Sequence, residues 1–69
     1  MNWDTVQGDW KLVKGTIQKE WGKLTDDHLD IINGERVLLA GQIQKAYGIS
    51  KNEAERQIKK FEKMQRPDS

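Results

Sequence analysis

Seven apolar residues, Trp3, Val6, Trp10, Val13, Ile17, Trp21 and Leu24, follow one another at intervals of three or four along the first third of the chain. At about 100° per residue they fall within an arc of roughly 80°, which marks one buried stripe on a helix. A strand, whose period is two, does not keep this spacing. The stripe predicts a long helix over residues 4–21, with Gly22 offering a left-handed stop. The three tryptophans read as core rather than as a partner-binding stripe, with Trp3 the most exposed of them.

The next segments are set by caps and breaks. Thr25 suits an N-cap, and Asp26 and Asp27 follow in a first turn where acids favour the helix dipole. Leu24 and Leu29 have the spacing of a hydrophobic staple. A second helix is predicted over 26–32, broken by Asn33-Gly34; the flanking residues do not alternate, so this pair is read as a helix break and not as a hairpin turn. A third helix, 35–47, places Leu39, Ala40, Ile43, Ala46 and Tyr47 inward and ends at Gly48. Ser50-Lys51-Asn52-Glu53 has the form of a capping box and opens a fourth helix, 51–65, burying Ala54, Ile58, Phe61 and Met64. Pro67 lies past its end. The fold class is all-α: a compact four-helix array of two crossed hairpins.

A chain of 69 residues accommodates one domain with a modest core, here expected over 1–66 with a disordered tail at 67–69. There are no cysteines to reinforce it by disulfide or thiolate zinc. Charged residues make up 33% of the chain, and mean hydropathy is −0.91. Disorder also needs a high net charge, whereas 12 basic and 11 acidic residues nearly cancel. That balance removes the simplest argument for a nucleic-acid partner. Ile31-Ile32 and Val37 to Ala40 are far too short to cross a bilayer, and Met1 to Asp4 lacks the basic start of a signal peptide. The expected location is the cytoplasm, with no membrane partner and a monomeric state.

Gly15-Thr16-Ile17-Gln18-Lys19-Glu20-Trp21-Gly22 aligns without gaps to Gly41-Gln42-Ile43-Gln44-Lys45-Ala46-Tyr47-Gly48. The match reaches back to Gly8 with Gly34 and, after Lys23 is skipped, forward to Leu24-Thr25 with Ile49-Ser50. Common capping grammar and true internal duplication both account for it. Gly8, Gly15 and Gly41 fall inside predicted helices, where each costs about 1 kcal/mol relative to alanine. Three explanations stay open: close packing by a neighbouring element, tolerated flexibility, or a partner-docking groove.

Trp10-Lys11-Leu12-Val13-Lys14-Gly15, then Trp21-Gly22-Lys23-Leu24-Thr25-Asp26-Asp27, resembles the CsbD-like family of small bacterial stress-response proteins. The likeness continues through Ile31-Ile32-Asn33-Gly34-Glu35-Arg36, Leu39, Gly41-Gln42-Ile43-Gln44 and Tyr47-Gly48 to Ala54-Glu55. It covers roughly residues 2–62 and follows no family pattern from Glu62 to Ser69. The resemblance implies a four-helix array similar to sterile-alpha-motif-like (SAM-domain-like) folds, general stress induction in a bacterial cytoplasm, and no catalytic residues.

No catalytic, cofactor-binding or metal-ligating set stands out, so no enzyme, cofactor or small-molecule substrate is expected. His28, the single histidine, reads as an exposed first-turn residue, and Asp26, Asp27 and Asp30 as dipole partners rather than a cation site. The leading reading is a non-enzymatic stress-response protein with a protective or interaction role. The alternative is nucleic-acid binding by Lys51, Arg56, Lys59, Lys60, Lys63 and Arg66. The last five of these line the face of the fourth helix opposite Ile58 and Phe61. The Gly48-Ile49-Ser50 turn loosely resembles that of a helix-hairpin-helix, with Ser50 in place of its second glycine. Against it, Glu55 with Lys59 and Glu62 with Arg66 have the spacing of i,i+4 pairs that would leave merely a solvated face. A membrane-surface role is disfavoured, because the apolar side of that helix is needed for the core.

Overall fold

The computed structural model describes residues 2–64. These form five helices: α1 (Trp3–Gly8), α2 (Trp10–Glu20), α3 (Asp26–Ile32), α4 (Arg36–Tyr47) and α5 (Lys51–Met64). Arg66, the predicted end of the last helix and the 67–69 tail lie outside the described residues.

The long first helix is in fact two. At Asp9 the backbone leaves helical geometry, with φ −105° and ψ 28°. Gly8 and Asp9 are both weak helix formers. The Asp9 N–H still donates to Thr5 O, at 2.9 Å, while its carbonyl accepts from Leu12 and Val13, at 2.9 and 3.1 Å. One residue thus closes α1 and opens α2. The apolar stripe survives this break: Val6, Ile17, Trp21 and Leu24 are buried, and Trp3, Trp10 and Val13 pack half-buried against the core.

α4 packs along α5 and against α3, while α1 lies on α2. Ile17, Leu24, Leu29, Ile32, Leu39, Ile43, Ile58 and Phe61 are all fully buried. Trp21 joins α2 to α5: its ring meets Phe61 at 5.2 Å between centroids, tilted by 53°, and its Nε1–H donates to Gln57 Oε1 at 2.9 Å. A buried indole N–H of this kind needs such a partner. Met64, expected in the core, is 54% exposed; Phe61 is the last core residue of α5, and the helix continues one turn past it.

The two matched endings adopt different conformations. Gly48 caps α4 in the left-handed region, φ 63°. Gly22 does not. α2 ends instead at Trp21 (φ −120°, ψ 84°), and the Leu24 N–H donates to Trp21 O at 3.0 Å. The extra residue Lys23 allows this wider turn, so no left-handed glycine is required. The matched pair Gly8 and Gly34 differ as well. Gly8 is helical, whereas Gly34 follows the left-handed C-cap Asn33 (φ 46°) with φ 82°.

Gly34 is also where α1 comes closest. A Cβ there would lie 2.6 Å from Gln7 Cα, a backbone atom that cannot step aside cheaply. By contrast, a Cβ at Gly8, Gly15 or Gly41 meets nothing within 4 Å. The close-packing explanation for these three is therefore overturned; no neighbour crowds them.

Gly34→Ala combines a left-handed penalty of about 1–2 kcal/mol with displacement of α1, and is expected to lower stability by more than that alone. Gly15→Ala, exposed in a helix, should raise it by about 0.4–1 kcal/mol. Urea midpoints of the two variants against the parent check both signs.

Candidate interaction surface

α5 is rich in both charges, and the structure sorts them. Glu55 does not pair with Lys59. Its Oε1 accepts from Arg36 Nη1 at 2.6 Å. Glu62 Oε2 accepts from Arg36 Nε at 3.0 Å and from the Trp3 indole Nε1 at 2.6 Å. One guanidinium at the start of α4 therefore collects two carboxylates one face-repeat apart on α5, and the second carboxylate holds α1. The Arg36, Glu55 and Glu62 side chains keep only 26%, 28% and 23% of their exposure.

These contacts show in the ionisation of the cluster. Partial burial works against the charge on Glu62, but hydrogen bonds from Trp3 and Arg36 and the nearby positive charge outweigh it, and hold the carboxyl below its ordinary range. Burial likewise opposes the Arg36 charge and is outweighed by Glu55 and Glu62, so the guanidinium is pushed up. On the outer flank, Arg56 donates from Nε and Nη2 to the two oxygens of Glu53, at 3.0 and 2.6 Å. Hydrogen bonds from Arg56 and Gln57 lower the Glu53 carboxyl, and Glu53 in turn raises Arg56.

Lys51, Lys59, Lys60 and Lys63 are exposed and make no ion pair among the described residues. Arg56 shares their surface but is already bound to Glu53. Arg66 lies outside the described residues. Ser50 Oγ accepts from the Glu53 N–H at 3.1 Å, yet the Glu53 carboxylate turns to Arg56 and Gln57, so only half of the expected capping box is made. In the Gly48–Ser50 turn, the Gly48 N–H is spent on Gln44 O at 2.8 Å.

His28 has a role that its position as an exposed residue did not suggest. It is half-buried at the third position of α3; its N–H donates to Thr25 Oγ1, at 3.4 Å, and its Nδ1 accepts from the Thr25 N–H, at 3.0 Å. The imidazole does the work usual for Glu or Gln in a capping box. Among the described residues no group of three or more His, Cys, Asp or Glu side chains could hold a metal ion, and no helix is long and apolar enough to cross a membrane. Sequence reasoning also missed two nearly naked apolar side chains, Leu12 and Val37, which are 79% and 80% exposed.

Among the described residues the scaffold is all-helical, with an ion-paired seam between α4 and α5 and lysines outside it that make no ion pair. A family model described as CsbD-like matches residues 4–56, and the chain belongs to that family. It is 47% identical to a UPF0337 protein of Protochlamydia amoebophila, across 90% of this chain and 94% of the relative. It is likewise 47% identical to the UPF0337 protein YjbJ of Escherichia coli K12, across 90% of each. A UPF0337 protein of Nitrosomonas europaea is 49% identical over 88% of this chain, which spans 65% of that relative's length. No solved structure matches the chain.

Because Glu62 is held below its ordinary 4.5, the stability it adds is present above that value and is lost as pH falls through the depressed native one. Glu62→Gln should therefore lower the melting temperature at pH 7, and the gap to the parent should close between pH 4.5 and the acid limit. A gap that stays constant on acidification would contradict this assignment.

Proposed function

We propose that this chain is a non-enzymatic stress-response protein that acts by surface contact with other macromolecules in the bacterial cytoplasm. The observation that carries the proposal is the surface, where Leu12 and Val37 stand nearly fully exposed and Lys51, Lys59, Lys60 and Lys63 make no ion pair among the described residues. Arg36, Glu53, Arg56 and Glu62 are all shifted towards their charged forms by ion pairs. General acid–base catalysis near neutrality needs the opposite, a carboxyl raised or an amine lowered by its surroundings. The charged groups serve structure and solubility, while Leu12 and Val37 offer isolated apolar contacts to a client. The scaffold in this reading is the pair of crossed hairpins, similar to sterile-alpha-motif-like folds.

Full-length protein is expected to slow heat aggregation of a model client such as citrate synthase, and Leu12→Gln/Val37→Gln together should halve that effect or more without lowering the melting temperature. Unchanged client aggregation at a tenfold molar excess would overturn the protective role.

One observation favours the alternative, nucleic-acid binding. Glu55 is drawn to Arg36 and Glu53 to Arg56, so the carboxylates that would have neutralised the lysine face are engaged elsewhere. Lys51, Lys59, Lys60 and Lys63 are then available to phosphates. Four such contacts predict a loss of about 10²-fold in affinity between 50 and 200 mM salt. A gel shift with and without Lys59→Gln/Lys60→Gln/Lys63→Gln reads this directly; binding insensitive to both salt and the substitutions would exclude it.

A further inference from the structure

Beside the lysine face, a cleft of about 330 Å³ opens between the ends of α2 and α4 and the flank of α5, lined by Glu20, Trp21, Tyr47, Arg56, Gln57 and Lys60. It is at the small end of the ~300–1,000 Å³ range of ligand clefts. We propose that this cleft binds a single nucleotide unit, with its base against the Tyr47 ring and its phosphate between Arg56 and Lys60.

The cations come first. Arg56 and Lys60 are one helical turn apart and both exposed. The guanidinium of Arg56 is oriented by its two bonds to Glu53. Those bonds use Nε and one N–H of Nη2, so the remaining N–H groups stay available to a phosphate oxygen. Lys23, which does not itself line the cleft, holds its Nζ 5.2 Å from the centroid of the Tyr47 ring. Glu20, exposed at the rim, is the one lining carboxylate, and Glu53 behind Arg56 is already neutralised.

The wall fits a planar base. Tyr47 is half-buried, and its hydroxyl is fixed by accepting the Lys23 N–H at 3.2 Å. A cation already lies over one face of the ring. Deeper in the cleft, Gln57 accepts from Trp21 Nε1 and donates to Glu53 Oε2, at 2.9 and 3.1 Å. Its amide keeps one N–H and one lone pair unspent, the paired donor and acceptor that suit a base edge.

This chemistry is shared by a free nucleotide and by one residue of a single strand. The proposal rests on the nucleic-acid reading only through Arg56 and Lys60, which belong to both surfaces. Titration of the ¹⁵N-labelled full chain with AMP, an unstructured ten-residue DNA strand and inorganic phosphate separates the cases. AMP is expected to move the Trp21 indole and Gln57 side-chain amide signals and to leave the Trp3 indole in place. Tyr47→Leu should weaken AMP between fivefold and a hundredfold, whereas Tyr47→Phe, which keeps the ring, should weaken it less than threefold and serves if the leucine variant fails to fold. Movement of these signals by both AMP and the strand supports the cleft and the lysine face together. Movement by AMP alone supports the cleft and removes the polymer. Salt-dependent strand binding that leaves Trp21 and Gln57 still overturns the cleft while the lysine face stands. Equal shifts with inorganic phosphate reduce the cleft to an anion site and overturn the base-binding proposal, as does silence with every probe.

Discussion

Arg36 is the first residue of α4, and its guanidinium reaches across the helix interface to Glu55 and Glu62 on α5. The indole N–H of Trp3 closes on the same Glu62 oxygen. The first helix is thus joined to the consecutive pair α4 and α5 at one charged knot. In a chain whose core consists of about a dozen buried apolar side chains, such a tie carries weight out of proportion to its size. An exposed ion pair is worth about 0–1 kcal/mol; here partial burial and the sharing of one guanidinium by two carboxylates place the knot toward the upper part of that range. Its geometry matters at least as much, because it sets the register of α4 on α5 and seats α1 beside both.

The same knot shapes the surface. A helix with acids and bases at i,i+4 spacing would ordinarily neutralise itself along its own length. α5 does so only at Glu53 and Arg56, because Arg36 draws Glu55 and Glu62 to the seam with α4. The lysines on the outer face are left without partners among the described residues. A protein with a formal net charge of only +1 thereby gains a locally basic face. Net charge alone is a poor guide here, since a macromolecular partner meets the local field.

The matched endings carry a related lesson about local likeness. Gly-x-Ile-Gln-Lys-x-aromatic-Gly occurs twice, but only Gly48 turns left-handed, because Lys23 lengthens the first turn and removes the requirement. The glycine that another helix crowds is Gly34, where the backbone of Gln7 arrives. Nothing in its neighbours announces that approach.

What the sequence by itself determined is local. The tryptophan stripe, the Thr25 and Ser50 caps, the break at Asn33-Gly34 and the stops near residues 21 and 48 all follow from 3.6-residue periodicity and capping chemistry, whose partners lie within four residues. α3 and most of α4 and α5 were legible to within a residue or so on that basis, and Lys59, Lys60 and Lys63, read as opposite Ile58 and Phe61, are exposed. The interruption at Asp9, the exposure of Met64 and the capping role of His28 were less legible, because each depends on a small local preference that packing tips one way. Tertiary structure alone decided that Arg36 meets Glu55 and Glu62 and that Trp3 closes on Glu62. Arg36 and Glu62 are 26 residues apart, and Trp3 and Glu62 59 apart. Pairing between helices, unlike the i,i+3 pair of Glu53 with Arg56, has no periodicity in sequence, so only the packed helices could choose the partners that join α1, α4 and α5.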